Sequence, residues 1–174
     1  MKKHKAYRVK VIVRNSCLIA LLLVMAIIFI MSNQSAKDSY KVTGTVVSVI
    51  SKEPISQSDW DARSVVVTVM RKLAHITLFS LLGFFASNYF ICTEKYTSIK
   101  KAFVITFVLC ILYAISDEFH QMFIPGRGAS PMDILWDLIG SIIGILVSFL
   151  IIWAAKKCKD RYAQKRKCES IGEA

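Results

Sequence analysis

Apolar residues in this chain fall into four long blocks and do not follow the helical or alternating periods of a soluble domain. The first block, residues 17–31, contains no charge. The second, 73–91, is interrupted only by His75 and a few Ser, Thr and Asn. The third covers 102–115, and the fourth, 134–155, carries one acid, Asp137. A helix needs about 20 residues to cross roughly 30 Å of hydrocarbon. Blocks one and three are shorter than that, so each is expected to borrow polar flanks, residues 14–16 and 116–119, whose long side chains reach back to water. The pattern predicts an all-α membrane bundle of four transmembrane helices. Block one has the length of a signal-peptide core, but Asn33 and Gln34 make a poor small-x-small cleavage site, so it is read as a retained span. Between blocks one and two lies an outer loop at about 32–64. There Val42, Val46, Val49 and Ile50 recur at helical spacing, which suggests a short interfacial helix, although β-branched residues weaken it.

Charge orients the bundle. The 174 residues carry a formal net charge of +11 and are 55% apolar, which excludes a disordered chain. Residues 1–14 hold six bases and no acid, the stretch 156–167 holds seven, and the connection between blocks two and three adds Lys95, Lys100 and Lys101. These segments share one side of a four-span topology, and the positive-inside rule makes that side cytoplasmic, with both termini in. The expected organisation is a basic cytoplasmic N-terminus (1–15), a four-helix transmembrane domain (16–155) and a basic cytoplasmic tail (156–174). The expected location is the cytoplasmic membrane of a bacterium, crossed several times. Because topology and anionic lipid account for the basic charge, nucleic acid is not an expected partner. None of the five Cys falls in the outer loop and no CxxC occurs, so all are read as free thiols.

Ionisable groups in spans are costly, at least about 2.5–3.5 kcal/mol each near the bilayer centre, yet here they gather at one end. Block two enters through Arg71 and Lys72, with His75 one turn deeper. Block three leaves through Asp117, Glu118, His120 and Gln121. After the turn Ile124-Pro125-Gly126-Arg127, block four enters with Asp133 and, one turn on, Asp137. Two readings stay open. Opposite charges can form a salt-bridge network that only holds helices in register, or they can line a pocket. Gly140-x-x-x-Gly144 offers a packing seam that needs no charge. Asp117-x-x-His120 has the spacing of carboxylate-bridged metal bundles, but those use the motif twice with further carboxylates. No metal and no cofactor are therefore expected. No nucleophile elbow, phosphate loop or zinc-protease motif is present, and whether the chain is an enzyme stays open.

The same residues carry a family resemblance. Arg71-Lys72-Leu73-Ala74-His75, with Phe79 and Leu82-Gly83, resembles the first signature of the VanZ-like membrane proteins. Ser116-Asp117-Glu118-Phe119-His120-Gln121-Met122-Phe123-Ile124-Pro125-Gly126-Arg127, with Asp133 and Asp137-Leu138-Ile139-Gly140, resembles the second. Ser32-Asn33-Gln34-Ser35 is similar to the family's Ser-Ser-Gln, with Asn33 a mild departure. The similarity runs from about residue 16 to 155. It implies a small bacterial integral membrane protein, in a family whose founding member is associated with low-level resistance to the glycopeptide teicoplanin. It carries over no catalytic residues, only signature positions: Arg71, His75, Asp117, Glu118, Gln121, Arg127, Asp133 and Asp137.

These observations lead to one expectation and two alternatives. The expected partners are membrane lipids and an anionic lipid-linked envelope precursor or lipoglycopeptide, held by Arg71 and Arg127 at the outer face. The first alternative is a membrane-embedded hydrolase or transferase of lipid-linked phosphates, with Asp137 and His75 as acid and base. A small transporter fits less well, because the inner halves of the spans are nearly all apolar. Oligomeric state cannot be read from these residues.

Overall fold

The computed structural model describes residues 2–35, 45, 60–93, 98–128 and 130–172. Four helices account for nearly all of them: α1 (Lys2–Ser32), α2 (Trp60–Thr93), α3 (Ile99–Gln121) and α4 (Pro131–Gly172). No strand occurs among the described residues. The expected four-helix bundle is what forms, with candidate membrane spans at Tyr7–Ser32, Thr68–Thr93, Ile99–Gln121 and Pro131–Gln164. The outer-loop helix suggested by Val42, Val46, Val49 and Ile50 lies outside the described residues.

The helices outrun the apolar blocks. α1 begins fifteen residues before block one, and α4 continues through the basic tail. Hydropathy marks where lipid begins. A helix satisfies its own backbone and can continue into water through Lys and Arg, which are good helix formers. The short first and third blocks are thereby completed to 26 and 23 residues.

α2 is the hub. It packs most extensively on α4, then on α1, and also on α3, which in turn bridges to α4. Between helices in lipid there is little hydrophobic drive, so close approach and local hydrogen bonds hold the contact. Gly140 and Gly144 of α4 press on the backbone carbonyls of Ile76 and Ser80, and Gly83 of α2 presses on that of Ser141. Any Cβ at these positions would collide with main chain. The Ser80 hydroxyl lies 2.7 Å from Ile76 O and 2.9 Å from Gly140 O, and Asn88 Nδ2 donates to Ser148 Oγ at 3.1 Å. The outer faces of the helices stay apolar and exposed, as a lipid-facing surface requires.

Each helix buries one stripe, and each stripe ends on a polar residue at the same end of the bundle. On α1 it runs Leu21, Val24, Ile28 to Ser32. On α2 it runs upward from Ala86 through Leu82 and Phe79 to His75. On α3 it passes Thr106, Cys110 and Ala114 to Asp117, Glu118 and Gln121, and on α4 it starts at Asp137 above Gly140, Ser141 and Gly144. Spacings of three and four residues keep each set on one face. The core therefore leads directly into the candidate site.

Candidate functional site

The polar ends meet across three helices and a turn. His75 Nδ1 on α2 faces Asp137 Oδ1 on α4 at 3.4 Å, beyond good hydrogen-bond length. Both are buried, at 8% and 2% exposure. Asp117 on α3 completes a triangle with them: one nitrogen or oxygen from each residue lies within 4.8 Å of the others. Gln121, one turn after Asp117, donates Nε2–H to Asp117 Oδ2 at 2.8 Å and approaches Ser32 Oγ at 3.3 Å, tying α3 to α1. One turn before Asp137, Asp133 pairs with Lys72 at 3.4 Å, where both side chains are partly exposed. Glu118 accepts a hydrogen bond from the Ser130 N–H at the start of α4.

The turn between α3 and α4 explains the position of Arg127. Pro125 presets φ, Gly126 adopts φ 79°, and Arg127 N–H returns to Ile124 O at 3.1 Å, the pattern of a type II turn that needs Gly at its third residue. This aims Arg127 across the bundle at the end of α1. There its Nη1 and Nη2 donate to Ser32 O at 3.1 Å and Met31 O at 3.3 Å, capping the last carbonyls of α1. Burial pulls the Arg127 pKa below its usual value, and Arg71 nearby acts the same way. Asp117, Glu118 and Asp133 oppose both. A guanidinium remains a cation under such pressure.

A small open cleft sits in this end, walled by Arg71, Lys72, His75, Gln121, Asp133, Trp136 and Asp137. Behind the cleft wall, Phe79 stacks on His75 at 6.4 Å and is itself packed on Tyr113 at 6.1 Å. The Tyr113 hydroxyl donates to Met25 O at 2.7 Å, holding α3 to α1. Trp136 forms part of the mouth, with the Lys72 ammonium 5.9 Å from its ring.

All eight signature residues lie at this end, in different roles. Arg71, His75, Gln121, Asp133 and Asp137 line the cleft. Asp117 stands behind it against His75 and Asp137. Glu118 and Arg127 lie outside the cleft wall, one on the α4 start and the other on the α1 end. His120 is not drawn in with Asp117. It stacks on Phe29 at 5.0 Å. Trp136 is a cleft residue that the sequence reading does not single out. For Trp136 the signal was a Trp beside an intramembrane acid at a helix start, the usual height of the interfacial aromatic belt.

A polytopic all-helical membrane protein with one polar, partly open end is the class this architecture defines. A family model described as VanZ/LLP1 matches residues 17–152, and the chain belongs to that family. Comparison with curated proteins and with solved structures finds no significant match.

Proposed function

We propose that the polar end binds the anionic head group of a lipid-linked or lipopeptide-like envelope ligand at the outer face of the bacterial cytoplasmic membrane. The observation that supports this most is Arg71. It lines the cleft, yet no hydrogen bond or ion pair to it occurs among the described residues. A network serving only to hold helices would be expected to pair this half-buried guanidinium with one of the carboxylates around it. Here Lys72 is spent on Asp133 and Arg127 gives two of its N–H groups to carbonyls, while Arg127 Nε and Glu118 Oε2 are buried without a hydrogen-bond partner. A phosphate or carboxylate suits a guanidinium in such a cleft.

The height of the cleft supports a lipid ligand. Trp136 and Trp153 lie 17 residues apart on α4, about 26 Å by helical rise, close to the hydrocarbon thickness. Trp153 carries Lys157 4.7 Å from its ring, as expected of an interfacial anchor. On this reading the cleft opens at head-group level. The outward orientation follows from the bases at the opposite ends of the helices. Glycopeptide protection would then arise from occupancy of an envelope lipid or of the lipoglycopeptide itself.

The test is native mass spectrometry of the protein purified from bacterial membranes, wild type against Arg71→Gln. A lipid with a net anionic head group retained by wild type and at least tenfold depleted in the variant supports the reading. Equal retention, or only zwitterionic lipid in both, overturns it.

A second reading draws on one observation, the His75–Asp137 pair in the cleft wall: an imidazole oriented by a carboxylate is a general-base arrangement. Under it the protein would hydrolyse or transfer lipid-linked phosphates. Turnover of a polyprenyl diphosphate in detergent, abolished by Asp137→Asn, would support it, and absence of turnover by folded wild type would dismiss it.

A further inference from the structure

We infer that His75, Asp117 and Asp137 form a divalent transition-metal site, of the kind that takes Zn²⁺ or Mn²⁺, at the base of the cleft. This does not depend on the identity of the lipid ligand. The three side chains come from three helices and each is less than a tenth exposed. Their nearest donor atoms lie within 4.8 Å of one another. Ligand bonds of about 2.1 Å would bring these atoms to roughly 3.4 Å apart in a tetrahedral shell, a closure of about an ångström within reach of small side-chain rotations.

Charge and hydrogen bonding both point to a missing cation. Two buried carboxylates at this separation repel each other strongly. Of the local cations, Lys72 is used on Asp133 and Arg127 on the Met31 and Ser32 carbonyls, while Arg71 lines the cleft mouth and, among the described residues, pairs with neither carboxylate. Among the described residues, Asp117 receives only the neutral amide of Gln121. Asp137 is 2% exposed, and its Oδ1 faces His75 Nδ1 at 3.4 Å but receives no hydrogen bond among the described residues. A buried carboxylate oxygen without a donor is costly. A dication bound by two carboxylates and a neutral imidazole removes both the repulsion and the orphaned atom.

The donor set defines the class of ion. One imidazole with two carboxylates is harder than thiolate sites and softer than all-oxygen calcium sites, which favours Zn²⁺ or Mn²⁺. Three protein ligands leave a position open towards the cleft. Gln121 already holds Asp117 in place, as the outer hydrogen bonds of metal-binding carboxylates usually do.

The experiment uses the full chain purified in detergent and stripped with chelator. Zn²⁺ or Mn²⁺ is then titrated alone, with bound metal counted after desalting and thermal unfolding followed in parallel. One ion per chain is expected, with a raised unfolding temperature. Affinity should fall at least tenfold in Asp117→Asn, Asp137→Asn and His75→Ala, and stay within twofold in Asp160→Asn, whose side chain is exposed in the tail. X-ray absorption of the wild-type complex should show nitrogen and oxygen ligands with imidazole scattering. No stoichiometric ion, unchanged affinity in the three variants, or sulfur ligation by the cysteines would each overturn the proposal.

Discussion

The α2–α4 interface has two halves that solve opposite problems. From Ile76 downward it is a seam of Gly83, Gly140 and Gly144 against bare carbonyls, reinforced by Ser80 and Asn88, with no charge in it. Above, at His75 and Asp137, the same two helices meet through ionisable groups that are buried but held at long range, with polar atoms left unsatisfied. The lower half is optimised for approach and the upper half is not. Such local conflict in an otherwise consistent fold is where functional sites are expected. The seam supplies the rigidity that keeps the buried carboxylates of Asp117 and Asp137 in place, so stability and function should separate along a single interface.

Gly144→Leu should have the largest effect on the fold. Its side chain would meet Ser80 O and the Phe84 N–H. Overpacking against main chain should cost more than about 3 kcal/mol, read as loss of folded protein in detergent and as a collapsed thermal transition. A mild effect would mean the helices are not locked by the seam.

His75→Ala should do the reverse. Accumulation in membranes should match wild type, while any protection against glycopeptide should disappear in a susceptible host. Wild-type protection in this variant would detach the site from the proposed role. Lys72→Ala should have the smallest effect. Its pair with Asp133 is partly exposed, so about 0–1 kcal/mol of stability is at stake. Ligand retention should weaken by only a few fold, far less than for Arg71→Gln.

Much of this was legible in the sequence. The four apolar blocks follow from the requirement that backbone polar groups in lipid be satisfied internally. The gathering of Arg71, His75, Asp117 and Asp137 at one end follows from alternating topology, once the spans are counted. The side-chain partners were less legible because they depend on rotation about each helix axis. Gln121, four residues from Asp117, shares its face and bonds to it, while His120, three residues from Asp117, turns onto Phe29. Spacing along α3 offered Asp117 with His120 only as half of an incomplete metal motif, whereas packing put Asp117 with His75 and Asp137 from two other helices. Nor could the sequence reveal that Arg127 reaches the end of α1, a contact set by the φ of Gly126 and ninety-five residues distant in the chain. Helix ends were also hidden, since hydropathy stops at Cys17 but the helix starts at Lys2.

The central claim is that the polar end is a binding site held together at some expense to the fold. Thermal unfolding of Asp137→Asn in chelator and without added ligand tests it directly. Asn keeps the shape of Asp and removes a buried negative charge beside Asp117. The account predicts an unfolding temperature equal to or above that of wild type. If the charges are instead a structural network, breaking the buried pair should cost about 3–5 kcal/mol, a fall of at least about 6 °C for a chain of this size, and that fall would contradict the account.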